Sequence, residues 1–151
     1  SEKITEITGI TQREVDDAPT FAQIADAVEA RLKGCVMVAH NVSFDWGFVQ
    51  AEFVHAERLL PEFTYVCTVE GARTHLPQLP NAKLDTVCAH FGIPLENHHA
   101  AMCDTEATAQ VMMRLSELAR TRGAGKLPRR AWFDEFVPTD QLPSAPVRLR
   151  G

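Results

Sequence analysis

Apolar positions along the chain follow first a helical and then a strand spacing, and their order predicts an α/β fold. An apolar stripe at steps of three and four predicts a first long helix, with the members Phe21, Ile24, Ala25, Val28 and Leu32. Thr20 and Gln23 resemble a capping box at its start, and the stripe ends near Gly34. The apolar residues at 35–40 then predict a short buried strand.

Residues 41–43 predict a turn, with Ser43 as the N-cap of a helix that runs from Phe44 onward. Residues 63–69 alternate in the manner of a second strand. A short helix over 83–91 is expected to stop at Gly92, and a long last helix follows a loop. The order helix, strand, helix, strand, helix, helix is typical of an α/β layer fold.

Two carboxylates lie on the predicted apolar faces of helices. Asp104 heads a face formed by Thr108, Val111, Leu115 and Leu118, and Asp45 shares a face with Phe48, Val49, Phe53 and Ala56. We expect both to point inward from a first helical turn, where a carboxylate needs a cation or hydrogen-bond donors. Two such acids can converge at the carboxyl edge of a sheet. The alternative is that each acid only favours a helix N-terminus through the dipole.

Composition narrows the class of protein. The hydrophobic share of 45% in 151 residues indicates a soluble globular domain, no apolar run approaches a membrane span, and a cytoplasmic location is the expectation. The four cysteines lack a C-x-x-C spacing and predict reduced thiols. Residues 1–116 carry eight Lys/Arg against sixteen Asp/Glu, whereas residues 117–151 carry seven against four. The acidic body argues against non-specific binding of nucleic acid and fits a site that handles phosphodiesters through metal ions.

Ordered motifs give the chain a family resemblance. His40-Asn41-Val42-Ser43-Phe44-Asp45 is similar to the second motif of the DnaQ-like (DEDDh) 3′-to-5′ exonucleases, and the residues from His99 to Asp104 match their third motif, H-x-A-x-x-D. Lys83-Leu84-Asp85-Thr86-Val87 and Phe91-Gly92-Ile93 also occur in family order. The resemblance implies a ribonuclease H-like exonuclease fold, a mixed central sheet flanked by helices.

The resemblance also implies the chemistry of the site. Asp45 and Asp104 would be catalytic metal ligands for two Mg²⁺ or Mn²⁺ ions, and His99 would be the general base; His98 does not fit the motif spacing. Asn41 and Phe44 would lie near the terminal nucleotide. The expected substrate is the 3′ end of a nucleic acid, with single-stranded DNA favoured, and the expected products are nucleoside 5′-monophosphates. The expected setting is proofreading or repair, with a DNA polymerase as a partner. A zinc site from His98, His99 and Cys103 is the weaker alternative.

The first family motif, an Asp-x-Glu pair on the opening strand, has no counterpart before Ile7. The fold would then lack its first strands, about 25 to 40 residues at usual element lengths. Two alternatives remain open: the start of the domain lies outside these residues, or the chain is a catalytically deficient module that binds nucleic-acid ends or a polymerase. We expect the exonuclease-like domain to span residues 1–122, and residues 123–151 to form a linker-like tail.

Overall fold

The computed structural model describes residues 5, 6, 8–61, 64–95, 101–123 and the backbone of 130–131. The helices are α1 (Gln12–Asp17), α2 (Phe21–Leu32), α3 (Val42–His55), α4 (Thr68–His75), α5 (Leu84–Phe91) and α6 (Ala101–Thr121), and the strands are β1 (Val36–Ala39), β2 (Thr64–Cys67) and β3 (Arg130–Ala131). The first of two compact units contains the described parts of Ser1–Ala18, Val38–Asn41 and Val66–Pro128. The second contains those of Pro19–Met37, Val42–Tyr65 and Arg129–Gly151.

The three strands form one sheet in the order β1-β2-β3. A crossover that contains α3 joins the neighbouring strands β1 and β2, which is the connection that parallel neighbours require. Strand β3 pairs with β2 in the antiparallel direction, with Thr64 opposite Ala131 and Tyr65 opposite Arg130. The predicted α/β class with helices beside a mixed sheet is therefore confirmed.

Packing of α2 on α3 organises the second unit. Helix α2 begins with the predicted capping box, in which the Thr20 N–H donates to Gln23 Oε1 at 2.7 Å. The ring of Phe21 meets that of Phe53 edge-on, with 5.0 Å between centroids. Ala25 of α2 and Phe53 of α3 are fully buried. The predicted helix and its capping box are therefore confirmed.

Helix α3 departs from the prediction in its start and in the face it buries. It begins at Val42, so Ser43 lies inside the first turn and is not the N-cap. Its buried positions include Val42, Trp46, Gln50 and Phe53, whereas Asp45 and Phe48 are exposed. The prediction that Asp45 points inward is therefore wrong. Two overlapping stripes were available, and the one that contains the bulky Trp46 buries more apolar surface.

The second strand also ends earlier than predicted. Strand β2 stops at Cys67, and Thr68 opens a helix, so the expected strand over 63–69 is wrong at its carboxyl end. Tyr65, Val66 and Cys67 are all buried in succession, a pattern of a strand covered on both faces rather than of strict alternation. The apparent alternation that extended to Val69 was coincidental.

Helix α6 packs on α4 and α5 to form the core of the first unit. Val111, Leu115 and Ala119 of α6 are fully buried, as is Val87 of α5. Helix α5 ends at Phe91, and Gly92 follows with a left-handed φ of 66°, so the predicted short helix and its stop are confirmed. No helix among the described residues has the length and apolar character needed to cross a membrane.

Candidate active site

Asp104 lies in the first turn of the long helix α6, in the first unit. The side chain is half-buried, and its Oδ1 atom is buried from solvent. Thr108, Val111 and Leu115 follow at helical spacing and are buried, so the predicted face is confirmed. A helix N-terminus stabilises the negative charge of a carboxylate at this position. The oxygens of that carboxylate are ligands that a divalent cation can bind.

Asp45 lies in the first turn of α3, in the second unit. Although the residue is exposed, desolvation by its surroundings raises the pKa of its carboxyl group, against an opposing hydrogen bond from its own backbone. Phe44 is 63% exposed and packs edge-on against Phe48 at 5.1 Å between ring centroids. An acid and two exposed aromatic rings thus occupy one end of this helix.

Asn41 precedes α3 and belongs to the first unit. Its φ is 71°, a left-handed conformation that asparagine adopts more readily than most residues. His99 and His98 lie outside the described residues, so the predicted general base stays a prediction. The predicted site residues fall into two sets, Asn41 with Asp104 in the first unit and Phe44 with Asp45 in the second; convergence of the two acids also stays a prediction.

A hydrogen-bonded histidine lies beside Asn41, at the end of β1. The Nδ1 atom of His40 is 2.9 Å from Thr68 Oγ1, and its Nε2 atom is 2.8 Å from the carbonyl oxygen of Ala82. The Thr68 hydroxyl also lies 3.3 Å from the carbonyl oxygen of Ala39. His40 therefore connects β1 both to the start of α4 and to the loop before α5.

The partners of His40 determine its tautomer. A carbonyl oxygen only accepts, so Nε2–H donates to Ala82. In the neutral ring, Nδ1 then accepts from the Thr68 hydroxyl, whose single proton is directed to Nδ1 and not to the more distant Ala39 carbonyl oxygen. Burial lowers the pKa of His40, and this effect outweighs the Ala82 hydrogen bond and the negative charges of Asp85 and Asp104. The neutral ring, which satisfies both bridges, is thereby favoured.

A pocket of about 610 Å³ opens next to this histidine. Its lining residues are His40, Asn41, Val69, Arg73, Asn81, Ala82, Lys83, Leu84 and Asp85. All of them belong to the first unit, and the volume is within the usual range for small-ligand sites. Asp85, the expected first-turn acid of α5, is exposed at this pocket.

The donor chemistry of the acids suits hard divalent cations. Carboxylate oxygens are preferred ligands of Mg²⁺ and Mn²⁺, and a cation would offset the desolvation that raises the pKa of Asp45. Within the described ranges, no group of three or more His, Cys, Asp or Glu side chains forms a metal-binding cluster. The alternative zinc site stays untested, because His98 and His99 lie outside those ranges.

Sequence reasoning missed the functional potential of Arg73 and Thr68. The helix that carries both was not predicted, since residues 68–69 were assigned to a strand. Lys83 and Asp85 belonged to a quoted motif, but no pattern in the sequence connected them to His40. A histidine at the end of a predicted strand was the available signal, because a polar side chain that becomes buried there must find hydrogen-bond partners.

The structure shows an α/β domain with acids at the starts of two helices, and comparisons with known proteins identify its family. A family model described as exonuclease matches residues 1–112. The DNA polymerase III PolC-type of Oceanobacillus iheyensis is 37% identical over 115 residues, which cover 76% of this chain and 8% of that protein. The corresponding protein of Bacillus subtilis is 34% identical over 127 residues, covering 82% of this chain and 9% of its own length.

The chain therefore belongs to the exonuclease family, in agreement with its DnaQ-like motifs. A third PolC-type protein, from Clostridium perfringens, is 39% identical over 110 residues, covering 73% of this chain and 8% of that protein. The chain thus spans less than a tenth of the length of these relatives. The structure is consistent with a partial α/β exonuclease fold.

Proposed function

We propose that the chain is a metal-dependent 3′-to-5′ exonuclease domain that hydrolyses DNA 3′ ends to nucleoside 5′-monophosphates. The observation that carries this proposal is the exonuclease family match over residues 1–112, which includes the two helix-start acids Asp45 and Asp104. Both have oxygen ligands of the type that phosphoryl-transfer metals require.

Asp45 and Asp104 would bind Mg²⁺ or Mn²⁺ through their carboxylate oxygens. Such ions, when bound, lower the pKa of a coordinated water and neutralise developing charge on a phosphate. The half-buried position of Asp104 limits the number of waters that compete for its oxygens. A complete site for two ions needs further oxygen ligands, which the family's Asp-x-Glu motif would supply.

The remaining site residues would handle the proton and the substrate. His99 would accept the proton of the attacking water, because imidazole titrates near neutrality. Phe44 is exposed and would offer its ring face to the terminal base. Asn41, held in its left-handed conformation, would direct its amide toward the terminal nucleotide.

The similar proteins suggest the setting of the reaction. Because the compared relatives are DNA polymerase III PolC-type proteins, we propose that the domain acts on DNA beside a polymerase activity, in the cytoplasm, and proofreads or repairs single-stranded 3′ ends. Residues 1–122 would form the exonuclease domain, and the tail from 123 would connect it to further sequence.

The two adjacent histidines provide a matched test. The chain, expressed with whatever upstream sequence its natural protein carries, is incubated with 5′-labelled single-stranded DNA and Mn²⁺. We expect His99→Ala to lower the turnover about 10²- to 10⁴-fold, the usual contribution of a general base, and His98→Ala to retain it.

Equal loss in both variants would contradict the role of His99. An unmodified protein that binds 3′ ends but never shortens them would contradict the enzymatic proposal and support the catalytically deficient binding module. Cleavage from the 5′ end would contradict the proposed polarity.

A further inference from the structure

The pocket beside His40 has a charge that differs from that of the surrounding chain. Residues 1–116 have a net charge of −8, yet the pocket contains the two cations Arg73 and Lys83 and one acid, Asp85. With His40 neutral, its lining is net positive. A locally positive pocket in an acidic domain attracts an anionic ligand in preference to a cationic one.

Neither cation forms an ion pair with another described residue. Among the residues that the structure describes, Arg13 pairs with Asp17, and Arg58 pairs with Asp26 and Glu29, whereas Arg73 and Lys83 take part in no ion pair within 4.0 Å. Both side chains are exposed and therefore accessible. Their charges are available to a ligand.

The backbone around Lys83 is held in place. Asn81 Oδ1 accepts a hydrogen bond from the Lys83 N–H at 2.9 Å, and the neighbouring Ala82 carbonyl accepts from His40. Through Thr68, His40 also contacts α4, the helix that carries Arg73. One partly buried hydrogen-bond network therefore joins the two segments that present the cations.

We propose that this pocket is a phosphate-binding site, in which Arg73 and Lys83 contact the phosphate and His40 acts as a positioning residue. The amides of Asn41 and Asn81 line the same pocket and supply polar groups near the cations. Arginine offers a planar pair of donors to phosphate oxygens, and lysine adds a compact charge. Asp85 accepts hydrogen bonds from the backbone N–H and hydroxyl of Thr86, and its single negative charge is outnumbered by the two cations of the lining.

The phosphate has two possible sources, an internal phosphodiester of a DNA strand or the phosphomonoester of a nucleotide. We favour the DNA strand as the source, and this choice rests on the proposed function. The assignment of the pocket as a phosphate site does not rest on it. The contacts would be independent of base identity, since only the backbone is bound. The site would hold the strand while hydrolysis takes place and would take no part in the hydrolysis itself.

Binding measured in EDTA separates this site from catalysis. The probes are thymidine 5′-monophosphate and a fluorescent ten-residue oligothymidylate, titrated into the unmodified protein, Arg73→Ala, Lys83→Ala and the double variant. Arg114→Ala is the control, because Arg114 is an exposed cation of α6 in the same unit but outside the pocket.

For the oligonucleotide, we expect roughly three- to tenfold weaker binding per substitution, equal for thymidine and adenine strands. The dependence of log affinity on log salt should fall in slope by about 0.7 for each cation removed. Loss confined to the monophosphate would support the phosphate site with a nucleotide source. If the double variant binds both probes as tightly as Arg114→Ala does, the proposal is overturned.

Thr68 tests the positioning role of His40. Thr68→Val removes the hydroxyl that binds His40 Nδ1, and Thr68→Ser retains it. We expect phosphate affinity to fall in the valine variant and to be restored in the serine variant, at equal folded fraction by circular dichroism. Unchanged affinity in folded Thr68→Val would contradict the positioning role.

Failure here and failure of the proposed function are distinguishable. If the unmodified protein hydrolyses DNA but the double variant binds both probes as the control does, the exonuclease proposal stands and the phosphate-site proposal fails. If the protein does not hydrolyse DNA but its binding of the probes depends on Arg73 and Lys83, the phosphate-site proposal stands and the exonuclease proposal fails.

Discussion

His40 donates a hydrogen bond from Nε2 to the carbonyl oxygen of Ala82, 42 residues further along the chain, at 2.8 Å. The bond joins the end of β1 to the loop that leads into α5. Two of the four family segments, the one that begins at His40 and the one that follows Ala82 from Lys83, therefore lie next to this contact. His40, a residue of the second family motif, thus has a structural role.

The stability of the protein should depend on the protonation of His40. Burial lowers its pKa, so the unfolded chain binds more protons than the folded chain between the lowered pKa and the usual value near 6.5. The free energy of unfolding should therefore fall as the pH drops through that window and stay level above it. Urea unfolding between about pH 5 and 8 measures this dependence.

His40→Gln should flatten that pH dependence, because the substituted side chain does not titrate. At neutral pH the variant should be less stable by about 0.5 to 1.5 kcal/mol for each hydrogen bond lost. His90→Gln is the control, since His90 is exposed on α5. Parallel curves for the unmodified protein and His40→Gln would show that His40 titrates equally in both states.

Asp104 should determine the response of the first unit to divalent cations. A cation that binds only the folded chain stabilises it by about 2.7 kcal/mol at a hundred times its dissociation constant. We expect Mn²⁺ to raise the Tm of the unmodified protein and to have a much smaller effect on Asp104→Asn. Calorimetry gives both values.

Glu106→Gln is the matched control for Asp104, because Glu106 is an exposed acid two residues further along α6. It should respond to Mn²⁺ as the unmodified protein does. The same Tm increase in all three proteins would place the bound ion elsewhere in the chain.

Phe53 and Phe48 test the assignment of the buried face of α3. Phe53 is fully buried against Phe21, so Phe53→Ala should lower the free energy of unfolding by about 3 to 5 kcal/mol. Phe48 is 41% exposed on the same helix, and Phe48→Ala should cost less than about 1 kcal/mol. Equal costs in urea unfolding would mean that α3 buries the other stripe.

Gly92 ends α5 in a left-handed conformation with a φ of 66°, and the Ile93 N–H beyond it donates to the Cys88 carbonyl at 2.9 Å. Gly92→Ala should lower the free energy of unfolding by about 1 to 2 kcal/mol, the cost of placing a Cβ in that region. Gly92→Asn should cost less, since asparagine tolerates it. Thermal unfolding of the two variants gives the ranking, and an alanine variant as stable as asparagine would contradict it.

Elements whose signals are local were predicted from the sequence. The capping box of Thr20 and Gln23, the stop at Gly92 and the face headed by Asp104 each depend on residues within a few positions of one another. The face of α3 was not predictable in the same way, because stripes through Asp45 and through Trp46 both have helical spacing. The packing of α3 against other elements selects between them.

The sequence by itself determined the family, the α/β class and the order of the candidate catalytic residues, because these depend on residue type, spacing and hydrophobic period. The tertiary structure decided that Thr68 opens a helix, that His40 binds Thr68 and Ala82, and that Arg73 and Lys83 share a pocket. The physical reason is the separation along the sequence between the residues that interact. Capping and helical periodicity act over three or four residues, whereas these contacts join residues 10 to 42 positions apart and form only when separate elements pack.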